Sequence, residues 1–191
     1  MTFINRLGFV LLCLMLTTCK GVSQSHLQKH PCSNITQTPV HKLSQTCLYQ
    51  NIAQYQITEE LKKFTPNYQL WSDGAHKSRW IYLPENQKID TSDVDNWVFP
   101  VGTQFFKEFR KPNPKAGHPK EIKVETRHLY KYREGVGKEV WQVATYLWND
   151  SQTEASLLKE GKANVLGTNH DIPSNQDCVD CHKGNRDFIL G

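Results

Sequence analysis

Hydrophobic and polar residues alternate with a period of two in several segments from residue 79 onward, a pattern that is typical of β-strands. It predicts strands at 79–83, 97–99, 104–109, 122–132 and 140–148. Turn residues such as Asp73-Gly74, and prolines such as Pro84 and Pro100, separate these segments from their neighbours. We therefore expect a sheet of antiparallel strands.

The segment 122–132 has the clearest alternation. One face carries Ile122, Val124, Thr126, His128, Tyr130 and Tyr132, whereas the other carries Lys123, Glu125, Arg127, Lys131 and Arg133, with Leu129 as the exception. This pattern predicts a half-buried strand with one wet face. The segment 140–148 is apolar on both faces, so we expect a central hairpin partner that is joined across 134–137.

Helical signals are shorter and lie on either side of these strands. They predict a turn of helix in 44–53, a helix at 58–64, a helix at 151–160 that begins with a capping-box sequence, and a last helix at 175–183. A short strand is expected at 163–166. The predicted fold is mainly β, with an antiparallel β-sandwich or jelly-roll-like sheet pair, short helices and a C-terminal helix.

The N-terminal region has the features of an export signal. Residues 1–18 place Arg6 before a short apolar run, which predicts a signal peptide. Leu16-Thr17-Thr18-Cys19 resembles a lipoprotein cleavage box, so one alternative is a lipid anchor at Cys19 and the other is plain cleavage within 21–24. Either alternative predicts a periplasmic or outer-envelope protein, with a flexible tether at 19–42 and one domain at 43–191.

Charge and cysteine content narrow the possible classes of function. The 23 basic and 19 acidic residues give a net charge of +4 and are mixed along the chain, so no basic stripe for nucleic acid is present in the sequence. Cys32 and Cys47 are expected to form a disulfide, which is worth about 3 kcal/mol for a loop of about fifteen residues. The alternative is that one or both are free thiols.

The main candidate for chemistry is Cys178-Val179-Asp180-Cys181-His182, a Cys-x-x-Cys-His sequence of the kind that attaches c-type haem. On a helical turn, Cys178 and Cys181 can each form a thioether with one haem vinyl group, and His182 can then ligate the iron. A redox-active or disulfide-bonded thiol pair is the first alternative. Zinc is the weaker alternative, because the sequence has no second Cys/His pair at the required spacing.

A group of charged residues follows the Asp73-Gly74 turn. Lys77 and Arg79, with Arg127 further along, are candidates to pair with the haem propionates, since arginine binds carboxylates through two parallel hydrogen bonds. The alternative is that they form a solvated strand start.

The second axial ligand of the iron is restricted by composition. The only methionines are Met1 and Met15, and both lie in the predicted signal peptide. We therefore exclude methionine ligation. His170 and His128 are the first candidates and His76 the next, whereas His118 is expected to be solvated, and an open site is the remaining alternative.

Several motifs also occur in the order known from one protein family. They are Leu70-Trp71-Ser72-Asp73-Gly74-Ala75, Lys77, Arg79-Trp80-Ile81, Leu83-Pro84, Trp97-Val98-Phe99-Pro100-Val101-Gly102-Thr103, Lys107, Phe109, Glu125-Thr126-Arg127, Tyr146-Leu147-Trp148-Asn149, Ala155, Ile172-Pro173-Ser174 and the Cys-x-x-Cys-His sequence. Over 43–191 the chain resembles a poorly characterised family of exported bacterial proteins that are similar to c-type cytochromes. The resemblance implies export and a haem site.

Two differences from the family pattern bear on the iron site. The resemblance implies that longer members continue past the position of Leu190-Gly191 into a second Cys-x-x-Cys-His segment, so this chain is expected to be a short or truncated member. His76 and His128 stand where the family pattern has other residue types.

These observations favour an exported haem c protein that carries single electrons to or from a redox partner protein in the envelope. The alternatives are a haem-free β-domain that acts as an interaction module, with a Cys178–Cys181 disulfide, and a small haem oxidoreductase. No Ser/His/Asp set or phosphate-binding loop is recognisable in the sequence.

Overall fold

The computed structural model describes residues 31–33, 38–115 and 119–189. The strands in these ranges are β1 (Tyr49–Asn51), β2 (Gln56–Ile57), β3 (Lys62–Phe64), β4 (His76–Tyr82), β5 (Gln104–Pro112), β6 (Glu121–Lys131), β7 (Trp141–Trp148) and β8 (Ala155–Leu158). An α-helix, α1, follows at Asn175–His182, and short 3-10 turns lie at Pro31–Ser33, Leu43–Gln45, Lys138–Val140 and Val165–Gly167. The prediction of a mainly β, antiparallel fold is confirmed.

The strands form two antiparallel sheets. Strands β3 to β8 make a six-stranded sheet in which each strand pairs with the next along the chain, and β1 pairs with β2. Tyr49 of β1 meets Trp148 of β7 edge-on, with ring centroids 6.0 Å apart, so the small sheet lies on one face of the large one. A sandwich or jelly roll was expected. The structure has a six-stranded antiparallel meander, β3 to β8, with the two-stranded sheet packed on one of its faces.

The predicted strands at 79–83, 104–109, 122–132 and 140–148 are confirmed as β4 to β7, and the predicted C-terminal helix is α1. Two other predictions were wrong, because segment 97–99 makes only an isolated bridge between Val98 and Asp90 and 163–166 leads into a 3-10 turn. The predicted turn of helix in 44–53 is confirmed in part: a 3-10 turn lies at Leu43–Gln45, but the segment also contains β1.

The predicted helices at 58–64 and 151–160 were also wrong. The first segment ends in β3, which pairs with β4, and the second contains β8, which pairs with β7 from Trp148↔Ala155 to Thr145↔Leu158. Gln152 adopts a left-handed φ of 59° in the turn that precedes β8, and its side chain accepts a hydrogen bond from the backbone of Lys123 at 2.7 Å. Sheet pairing therefore overrides the local capping signal.

Strand β6 differs from the predicted alternation because it contains a β-bulge. Phe109 lies opposite Glu125 and Arg110 lies opposite Lys123, which leaves Val124 as the extra residue. As a result, Ile122 and Val124 pack with Phe109 rather than on the side of His128. We call the side of the large sheet that bears Lys107 and Arg127 the Arg127 face, and the opposite side the His128 face.

The prediction that the charged face of β6 is wet was wrong. Glu125 is 0% exposed and Lys131 is 1% exposed. The chain after β8 covers this face, since His170 contacts Glu125 and Asp187 contacts Lys131. The buried carboxylate of Glu125 and the buried ammonium of Lys131 therefore each have a hydrogen-bond partner in the C-terminal segment.

The described part of the expected tether contacts the domain. Cys32 forms a disulfide with Cys47, which confirms that expectation. The carbonyl of His41 accepts a hydrogen bond from the backbone of Leu157 at 2.9 Å, and the Nζ atom of Lys42 donates to Ser156 at 2.8 Å. The predicted signal peptide and Cys19 lie outside the described residues. Within those residues, no helix has the length and apolar character needed to cross a membrane.

Candidate functional site

Helix α1 holds the Cys-x-x-Cys-His sequence and begins at a reciprocal cap. The backbone of Asp177 donates to Ser174 Oγ at 3.3 Å, and the backbone of Ser174 donates to Asp177 Oδ2 at 2.8 Å. Cys178 is buried and Cys181 is exposed, and both are free thiols. Burial raises the pKa of Cys178, so this thiol is protonated at neutral pH.

The imidazole of His182 is oriented by a backbone carbonyl. Its Nδ1 atom lies 2.7 Å from the carbonyl oxygen of Phe188. A carbonyl can only accept, so we assign the proton to Nδ1, which leaves a lone pair on Nε2. Burial lowers the pKa of His182, which favours the neutral ring that metals bind.

Asp187 fixes the segment that presents this carbonyl. Its carboxylate accepts hydrogen bonds from the backbone of Phe99 at 2.7 Å, from Trp141 Nε1 at 3.0 Å and from Lys131 Nζ at 2.7 and 2.9 Å. Phe188 itself has a left-handed φ of 64°, which a bulky residue adopts only when its surroundings enforce it. The orientation of His182 thus depends on a buried ion pair.

His182 opens onto an apolar cavity of about 210 Å³ on the Arg127 face. Its walls are mostly aromatic and aliphatic, and its polar side chains are three cations and one imidazole. The apolar lining comprises Phe64, Pro66, Tyr68, Leu70, Trp97, Phe99, Phe105, Phe106, Leu129 and Ile189, and the polar lining comprises Arg79, Lys107, Arg127 and His182. Pockets for cofactors commonly combine such walls with a few convergent polar groups.

The three cations lie in one row across the sheet. Arg79 of β4 pairs with Lys107 of β5, and Lys107 pairs with Arg127 of β6. Arg127 binds Glu125 through two hydrogen bonds of 2.7 and 3.0 Å. Arg79 is 8% exposed, and within the described part of the chain neither Arg79 nor Lys107 has an ion-pair partner. Burial, together with the charges of Arg127 and Arg79, lowers the pKa of Lys107 to about 8.

The structure brings together three of the residues that the sequence singled out, because Arg79, Arg127 and His182 line one cavity. Cys178, Cys181 and Lys77 are not among the lining residues. The ammonium of Lys77 donates to the carbonyl of Leu70 and to Ser72 Oγ, and so holds the loop before β4. Lys107 belongs to the family resemblance but was not predicted as a site residue, because its position opposite Arg79 and Arg127 depends on the strand register.

Asp187 and Phe188 were also missed by the sequence analysis, and no motif marks either of them. One weak signal could have found Asp187. It is the single acidic residue after the Cys-x-x-Cys-His sequence, and a lysine on a predicted strand, Lys131, needs a partner of opposite charge if it is buried.

The candidate axial histidines lie away from the cavity. His128 lies on the side of the sheet opposite the cavity. Its ring stacks on Phe106, with ring centroids 4.3 Å apart, and its Nε2 atom lies 2.8 Å from Gln104 Oε1. His170 is buried with its Nε2 atom 2.8 Å from Glu125 Oε1. His76 is exposed beside Glu121, and His118 lies outside the described residues. Among the cavity-lining residues that the structure describes, His182 is the one histidine.

Comparison with known proteins adds no relative: no family model matches the chain, and neither curated proteins nor solved structures give a match. In the described ranges, no three His, Cys, Asp or Glu side chains converge to form a metal site. The site must therefore be interpreted from its own geometry.

Proposed function

We propose that this protein is an exported c-type haem protein that carries single electrons in the cell envelope. The observation that carries the proposal is the orientation of His182, because its Nδ1–H is held by the Phe188 carbonyl at 2.7 Å and its Nε2 is left available. Metal-ligating histidines are generally fixed by this kind of bond from the second ring nitrogen. Two thiols on the same short helix stand beside it.

The residues present fit a haem. Cys178 and Cys181 would hold it through thioethers, each formed by adding one S–H bond across one vinyl group, and His182 Nε2 would ligate the iron. The apolar walls suit a porphyrin ring, and the cation row suits carboxylates. When bound, haem iron supplies one-electron redox chemistry.

The positions of the candidate histidines favour a carrier over an enzyme. Enzymatic haem chemistry on a small oxidant uses a side chain close to the ligand that transfers protons, and histidine is the residue used most often. The two candidate histidines, His128 and His170, are instead engaged by Gln104 and Glu125 outside the cavity lining. In the proposed carrier, the protein's own residues bind the group and orient it.

The rim of the cavity suits a redox partner protein. Tyr68 is 90% exposed and Trp71 is 81% exposed, and Leu70 beside them lines the cavity. Exposed aromatic side chains are enriched where proteins dock. We propose that the partner approaches here. The N-terminal sequence supports a location in the cell envelope, with a lipid anchor at Cys19 and plain cleavage within 21–24 as the two alternatives.

A denaturing gel stained for haem tests the proposal after expression with a c-type maturation system. The mature wild-type band should stain, a Cys178→Ala/Cys181→Ala variant should not, and a Cys32→Ser/Cys47→Ser variant should still stain as the matched control. An unstained wild-type band would reject the proposal. Rapid peroxide turnover by the stained protein would favour the oxidoreductase over the carrier.

A further inference from the structure

The row of cations on the floor of the cavity is unfavourable without a ligand. Residues directly opposite on neighbouring strands lie about 5 Å apart, and like charges in that position repel each other. Arg79, Lys107 and Arg127 occupy three such positions in succession. Desolvation adds to the repulsion, since Arg79 is buried beneath apolar walls.

The charged groups around this row leave a positive surplus. Glu125 is the carboxylate that faces it, and Glu125 is bound to Arg127 and His170. Asp187 is on the same side of the sheet but is paired with Lys131. The three cations of the row and the one carboxylate leave two positive charges, and Lys77, which interacts electrostatically with Arg79 and Lys107, adds to this surplus. The surplus suits a ligand with two carboxylates.

We propose that Arg79, Lys107 and Arg127 form a binding site for two carboxylates attached to an apolar ring, and that these are the propionates of the haem. The inference rests on the proposed function and deepens it, because it gives the three cations the role of binding the propionates, whereas the proposed function concerns attachment of the ring and ligation of the iron. Lys107 is the central member and has neighbours of the same charge on both sides. A free small dianion is the other source of this chemistry.

Binding of an iron-free porphyrin to the full-length chain without attached haem tests the row separately from the iron. The probes are protoporphyrin IX, which has two carboxylates, and its dimethyl ester, which has none. Trp97 lines the cavity and reports binding through quenching of its fluorescence. The wild type should bind the dicarboxylate at least about tenfold more tightly than the ester, as expected for charge-assisted hydrogen bonds.

The variants Lys107→Met and Arg79→Gln should reduce this preference to about twofold or less, and Arg79→Lys should retain part of it. Lys63→Met is the matched control, because Lys63 is an exposed lysine on the neighbouring strand β3, opposite Trp80 and outside the cavity lining, and it should keep the wild-type preference. Lys107→Met should also raise the thermal midpoint of the ligand-free chain, since it removes a repelled cation. A purely structural lysine would give a lower midpoint.

The other outcomes overturn the inference. Equal binding of both probes would show that the cavity takes the ring but that the row does not recognise carboxylates, and the proposed function would remain. Failure of both probes to bind would reject the row as a porphyrin site. Displacement of protoporphyrin by millimolar succinate or inorganic phosphate would assign the row to a free anion instead. An unstained band on the haem gel rejects the proposed function without reference to the row.

Discussion

His182 and Phe188 are joined by a 2.7 Å contact between the imidazole Nδ1 atom and the backbone carbonyl oxygen. The contact links the end of α1 to a segment that the buried carboxylate of Asp187 fixes to Phe99, Lys131 and Trp141. The sheet therefore determines which ring nitrogen of His182 is available to a ligand.

Removing the carboxylate of Asp187 should destabilise the protein strongly. Asp187 and Lys131 are both 1% exposed, so Asp187→Ala would leave a buried ammonium without a counter-charge. A broken buried pair costs about 3–5 kcal/mol, which urea unfolding should show as a decrease in the free energy of unfolding. The exposed pair of Asp180 and Lys183 provides the control, and Asp180→Ala should leave the unfolding midpoint nearly unchanged. Equal effects of the two substitutions would contradict the role of Asp187.

Stability should fall as the pH decreases below about 6.5, and His128 should account for part of this fall. Burial lowers the pKa of His128 to about 3, so between this pKa and the ordinary histidine value the unfolded chain binds a proton that the folded chain does not. The free energy of unfolding should therefore rise with pH across that window, by at most about 1.4 kcal/mol per unit.

The comparison of wild type with His128→Gln isolates this contribution. The variant should have a shallower slope between pH 4.5 and 6.5 (roughly the range below the ordinary histidine pKa). Measurement at about pH 8, where His128 is neutral in both states, gives the baseline difference due to lost packing. An identical slope in the two proteins would show that His128 is charged in the folded state.

The disulfide should stabilise the domain measurably. Cys32 and Cys47 are separated by 15 residues, and closing such a loop is worth about 3 kcal/mol in the chain-entropy account. Cys32→Ser/Cys47→Ser should lower the free energy of unfolding by about this amount. A reductant should lower the wild-type midpoint but leave that of the double variant unchanged, and a response of the double variant would assign the effect to other thiols.

The axial ligand opposite His182 should be neither His128 nor His170. Their ring nitrogens are engaged by Gln104 and Glu125, outside the cavity lining. His128→Gln and His170→Gln should therefore leave the absorption spectrum of the ferric and ferrous haem unchanged. The chain has only Met1 and Met15, so the long-wavelength band of methionine-ligated ferric haem should be absent as well. Loss of a low-spin spectrum in either variant would identify that histidine as the ligand.

The sequence predicts those parts of the fold that depend on local pattern. Alternation predicts β4 to β7, and the cap at Ser174 predicts α1, because strand faces and helix starts are encoded within a few residues. A capping signal of the same form at Ser151 fails, since pairing of Ala155 with Trp148 decides that segment instead.

The candidate site shows the same limit. The Cys-x-x-Cys-His sequence identifies Cys178, Cys181 and His182 directly. The burial of Glu125 and Lys131 is not predictable from alternation, because their partners His170 and Asp187 are 45 and 56 residues away. Lys107 joins Arg79 and Arg127 only through strand register, and the bulge at Val124 shows how one extra residue changes the faces of a strand.

The most direct test of the central claim is the intact mass of the mature protein produced with a c-type maturation system. Covalent attachment at Cys178 and Cys181 predicts a single species whose mass exceeds that of the processed polypeptide by one haem, and predicts loss of this increment in the Cys178→Ala/Cys181→Ala variant. The single variants Cys178→Ala and Cys181→Ala can each attach haem through one thioether. They should give a lower yield of haem protein but the same mass increment of one haem. A wild-type protein that is folded, retains its Cys32–Cys47 disulfide and has only the mass of the polypeptide would contradict the assignment of a c-type haem.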